Sequence, residues 1–86
     1  MSPESEQVLA DAVLDLVAWF EVVDDTTLEP NQAVKALEQI AYHLHRLSGE
    51  DRDRFAAPAR ARASLERDPR YRRTFEAVAE DLEADA

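Results

Sequence analysis

The sequence predicts an all-α protein, a compact four-helix bundle whose third helix is kinked or split at Pro58. Three observations carry that expectation. Glycine occurs once in 86 residues, and a β fold needs more turn residues than that. Apolar residues recur at spacings of three and four, the period of a helix with one buried face. Pro3, Pro30 and Pro69 each head such a run, where a missing N–H costs nothing because the first helical amides have no intrahelical acceptor. A chain this short holds one core, so residues 1–86 read as a single domain.

The first helix is expected over residues 3–24, with Ser2 as its N-cap. Its apolar stripe, Val8, Leu9, Ala12, Val13, Leu16, Val17, Phe20 and Val23, is wide, and Leu14, Trp19 and Val22 lie off its centre. Only a narrow strip near Glu4, Asp11 and Asp15 is acidic. A helix apolar nearly all round must be buried nearly all round or meet another chain. The second helix, residues 30–47, is the cleanest. Ala33, Val34, Leu37, Ile40, Ala41, Leu44 and Leu47 fill one arc of about 140°, and Tyr42 falls on the opposite, exposed side. The third is expected over 49–67, opened by Ser48 and Asp51 at capping-box spacing. Pro58 inside it removes one helical hydrogen bond. Phe55 and Leu65 are its only large apolar residues, so it reads as a lid or brace over one end of the core. The fourth, residues 69–83, starts at Asp68-Pro69 and presents Tyr71, Phe75, Val78, Ala79 and Leu82 on one face. The tail Ala84-Asp85-Ala86 is expected to fray.

Charge is unevenly spread. The chain has 10 basic and 19 acidic side chains, a net of -9. Residues 1–50 carry 10 acidic against 2 basic, a net of -8, whereas residues 52–73 carry 8 Arg against 3 acidic, a net of +5. An acidic body thus bears an Arg-rich band, with Arg60, Arg62, Arg67, Arg70 and Arg73 as its candidate contact residues. Arginine makes bidentate pairs with phosphate and carboxylate. The favoured reading is that the band neutralises the protein's own acidic half. Nucleic-acid binding through 52–73 is disfavoured, because such modules are basic overall and a net charge of -9 repels a polyanion.

Several chemistries find no support. Without cysteine there is no disulfide, thiolate metal site or thiol nucleophile. His43 and His45 are the only histidines. Two residues apart on a helix, they point about 160° apart, so they cannot share an ion. The run Asp24 to Glu29 gathers oxygen ligands but lacks the spacing and the glycine of a calcium loop. No serine has a histidine at a meaningful local spacing. No catalytic set, metal or cofactor is expected. The most apolar stretch, Val8 to Val23, contains Asp11, Asp15 and Glu21, and a membrane span needs about 20 mostly apolar residues. The opening Ser2-Pro3-Glu4-Ser5-Glu6 lacks the positive start of a signal peptide, so the cytoplasm is expected. Arginine outnumbers lysine nine to one, the bias expected of a GC-rich bacterial genome.

What remains is a non-enzymatic protein-interaction module, of inhibitor, immunity or antitoxin type. It would dock through an apolar and acidic surface centred on the first helix. The expected contact residues are Leu14, Val17, Trp19 and Val22, with Asp24, Asp25 and Glu29 in the following loop. Asp24 and Asp25 sit at a helix C-terminus, where the dipole disfavours anions, which marks the loop as a polar contact for a basic partner. Asp25 has an alternative role as a cap for the second helix. The alternative function is a self-associating structural or adaptor homodimer, in which the first helix pairs with its twofold mate.

Overall fold

Four helices and no strand are present among residues 1–84, which the structure, a computed structural model, describes. They are α1 (Pro3–Val22), α2 (Pro30–Leu44), α3 (Gly49–Leu65) and α4 (Pro69–Glu83). Asp85 and Ala86, expected to fray, lie outside the described residues. The all-α bundle is as the sequence predicts, with a radius of gyration of 12.8 Å.

Three helix starts follow the capping chemistry written in the sequence. The Ser2 hydroxyl accepts the Ser5 N–H at 3.1 Å, and the Ser48 hydroxyl accepts the Asp51 N–H at 3.2 Å. The Asp68 carboxylate accepts the Arg70 N–H at 2.9 Å. At α2 the N-cap is Glu29, which makes no side-chain cap bond. Asp25 does not fill that role. The ends of α1, α2 and α3 fall two or three residues before the expected ones. After α1, the Asp24 carboxylate accepts the N–H groups of Thr26 and Thr27 at 3.1 and 2.9 Å and draws the chain into a turn. After α2, Arg46 N–H donates to the His43 carbonyl and Leu47 N–H to the Leu44 carbonyl, so the last turn tightens and closes. α3 runs through Pro58 without splitting. Ala56 and Ala59 flank the proline and are buried, so packing holds the helix across the missing bond.

The core sits between α1, α3 and α4. It comprises Leu14 and Ala18 from α1, Ala59 and Ala63 from α3, and Phe75 and Ala79 from α4, with Tyr71 and Val78 against its edge. The expected face of α4 is the observed one. The expected role of α3 is not. It is no lid but one of two central helices, and α3 against α4 is the most extensive contact in the fold. Its buried face is Ala56, Ala59 and Ala63, which lets α4 approach closely because nothing projects beyond Cβ. Leu65, one of its two large apolar residues, is 82% exposed. The second helix shows the converse. Of its clean stripe only Ala33 is buried; Leu37, Ile40, Ala41, Leu44 and Leu47 are half-buried, and Val34 is exposed. α2 leans chiefly on α1.

Candidate partner-binding surfaces

α1 is apolar on two opposite faces. Ala10, Leu14, Val17 and Ala18 form the buried one, with Leu14 only 3% exposed. Val8, Ala12, Leu16 and Trp19 fall within an arc of about 80° on the other side. Val8 is 66%, Leu16 53% and Trp19 48% exposed. Leu14 and Val17, expected on the displayed face, are therefore core residues, and the stripe expected to be core faces outward over much of its width. Trp19 is displayed as expected, edge-to-face on Phe20 with centroids 5.1 Å apart, and Val22 is half-buried.

Arginines of α3 reach the acidic residues of α1. Arg62 of α3 donates to Asp15 at 2.7 Å and to Asp11 at 3.4 Å, while its guanidinium lies 4.6 Å from the Phe75 ring centroid. Nη2 of Arg54 donates to both carboxylate oxygens of Glu6, at 2.8 and 2.9 Å. These pairs tie α1 to α3, with Asp15 still exposed, and the wide apolar stripe faces solvent. The bond to Asp15, above all, raises the Arg62 pKa above its ordinary value.

The rest of the arginine band is only partly engaged within the molecule. Arg60 pairs with Glu83, tying α3 to α4, and that bond raises its pKa. Arg70 pairs with Asp68 beside it. Arg67 and Arg73 make no ion pair among the described residues. Arg60, Arg67 and Arg72 line a shallow open basin, but Glu66 and Glu76 line it too and offset their charge.

In the loop, Asp24 is an organiser of the turn. Its carboxylate accepts the Thr26 hydroxyl at 2.7 Å as well as the two backbone N–H groups. The Thr26 contact first, then Thr27, holds it below the ordinary carboxylate range. Its placement at a helix C-terminus, unfavourable by the dipole alone, is offset by those donors. Asp25 and Glu29 are exposed.

A groove between α2 and α4, floored by Val17 of α1, encloses about 210 Å³. Leu37, Ile40, Ala41 and Leu44 line its α2 side, and Thr74, Ala77, Val78 and Asp81 its α4 side. Glu21 lies on the rim. His45, just past α2, meets the groove residue Asp81, with its Nε2 2.7 Å from Asp81 Oδ2. Sequence reasoning assigned the α2 stripe to the core and missed the groove. The His45–Asp81 contact joins residues 36 apart in the chain, a separation that leaves no local signal. Tyr42 is exposed, as expected, beside Arg46.

Among the described residues no group of three His, Cys, Asp or Glu side chains is placed to hold a metal ion. No helix among the described residues is long and apolar enough to cross a membrane. Comparison with known proteins finds no matching family model, no matching curated protein and no matching solved structure.

Proposed function

We propose that this protein is a non-catalytic interaction module, working in the cytoplasm, that docks another protein on the outward face of α1. One observation carries the reading: α1 is apolar on two opposed faces and the fold buries only one. Val8, Leu9, Leu16 and Trp19 are large, exposed and on one helix, and a contiguous exposed apolar stripe marks an interaction surface. Tryptophan is a frequent interface anchor. The stripe is followed by a loop that carries Asp24, Asp25 and Glu29, and no basic residue precedes Lys35 in the chain. A partner with a basic surface fits them. A second copy fits less well, since pairing α1 with its mate sets like charges beside each other. The inhibitor, immunity or antitoxin type of protein matches this description: small, acidic and shaped for one partner.

Two measurements on the wild type and on Leu16→Lys test the reading. Leu16→Lys alters a surface residue and should change stability by no more than about 0.5 kcal/mol. Light scattering should find the wild type monomeric. Cross-linking in its own cells should capture a partner on the wild type that Leu16→Lys loses. A homodimer dissociated by Leu16→Lys would replace the reading with self-association. Equal capture by both chains would remove α1 from the interface.

A further inference from the structure

We propose that the groove between α2 and α4 is a second docking site, separate from the outward face of α1. Its occupant is an amphipathic helix of another protein, apolar on one side and bearing Lys or Arg along its edges. The two walls match. Leu37, Ile40, Ala41 and Leu44 stand at i, i+3, i+4 and i+7 on α2, and Thr74, Ala77, Val78 and Asp81 stand at the same spacing on α4. Each wall is therefore a ladder about 10 Å long, two turns of helix. Ala41 and Ala77 sit mid-ladder, where short side chains leave room. Two splayed helices over a floor from a third form the seat of a helix-in-groove complex.

Size and charge select the occupant. About 210 Å³ accommodates one or two apolar side chains, and sites for whole small molecules run to about 300–1,000 Å³. Glu21 and Asp81 line the trough, Asp81 already in contact with His45, and no Lys or Arg lines it. The protein's net charge of -9 acts in the same direction at longer range. A second copy of this chain carries the same net charge of -9, so a basic helix of another protein is the more complementary partner. The walls can also adjust. α2 leans chiefly on α1, and its polar link to α4 among the described residues is the exposed His45–Asp81 contact.

The probe is a synthetic helical peptide with leucine on one face and lysine on the other, titrated into the isotope-labelled full chain and followed by amide chemical shifts. The expected result is saturable change at Ala41, Leu44, Ala77 and Val78, weakened by salt and by exchanging the peptide's lysines for glutamates. Ala77→Arg puts a guanidinium in the trough from an exposed position and should weaken binding about tenfold or more, while Leu16→Ser leaves it unchanged. Thr74→Arg, on the same wall, repeats the test should Ala77→Arg lower the melting temperature. Shifts centred on Val8, Leu16 and Trp19 and abolished by Leu16→Ser would place the peptide on α1 and overturn the proposal. So would unsaturable shifts indifferent to both groove variants, no binding at all, or groove shifts that track protein concentration without peptide, the mark of self-association. Because the two surfaces are probed by separate variants, loss of one leaves the other standing.

Discussion

The Arg62 guanidinium touches three groups at once: Asp15 at 2.7 Å, Asp11 at 3.4 Å and the face of Phe75 with its centroid 4.6 Å away. It thereby joins α1 to the ring of Phe75 on α4, with α1 rotated so that Leu14 is buried and Leu16 exposed. That rotation decides the cost of individual substitutions. Leu14→Ala should cost about 2–5 kcal/mol, since it leaves a cavity among Ala18, Ala59 and Phe75. Ile40→Ala, on the half-buried stripe of α2, should cost only about 1 kcal/mol, because the groove already exposes part of that side chain. Urea unfolding of the two variants checks the order; a larger loss at Ile40 would mean that α2 is packed more tightly than the groove implies. The regular spacing around Ile40 showed that it faces inward. It carried no information on whether a neighbouring helix would arrive to cover it.

At the scale of elements, the helix with the weakest apolar pattern is central and the helix with the strongest is peripheral. Alanine accounts for both. A stripe of Ala56, Ala59 and Ala63 adds little hydrophobicity to a sequence pattern, yet it lets α3 and α4 close on each other around Phe75 and Ala79. The large residues of α2 read as core but hold that helix away from α4. Local stability follows buried contact. Native-state hydrogen exchange should therefore find the amides of α2 least protected among the helices and those of facing α3 and α4 most protected. His45→Ala should raise exchange in α2 further while costing less than about 1 kcal/mol globally, as befits an exposed pair. Equal protection across all four helices would contradict this ordering. The caps at Ser2, Ser48 and Asp68 were legible beforehand because capping is local chemistry; the partnership of α3 with α4 was not, because it is contact between distant residues.

The whole molecule is an acidic body cross-linked by its own arginines. Arg54 and Arg62 join α3 to α1, and Arg60 joins α3 to α4. Individually, exposed pairs of this kind contribute little. Together they link α3 to both neighbouring helices, while Arg67 and Arg73 remain exposed. Acid should lower stability at two other carboxylates. Hydrogen bonds from Thr26 and Thr27 hold Asp24 below the ordinary carboxylate range, and Arg70 does the same for Asp68. Carboxyls depressed in the folded state contribute stability above their unfolded pKa, and that contribution is lost as pH falls through the folded value. The melting temperature should thus hold from neutral pH down to about 5 and fall below about 4. Asp24→Ala should show a smaller acid loss than the wild type. An unchanged acid profile in that variant would remove Asp24 from the acid response.

By itself the sequence determined the helices, their starts and the surplus of apolar surface on α1, since periodicity, proline placement and cap residues act within a turn or two of chain. It also located the acid and arginine zones that pair with each other. Tertiary structure alone decided which side of α1 is displayed, which two helices share the core, and that α2 and α4 stand apart over a groove. Those outcomes depend on how closely helices can approach and which charges meet across the seams. Alanines on α3 admit the close approach of α4, and Arg62 meets Asp11 and Asp15 across a seam, and neither contact is visible in the pattern of any one helix.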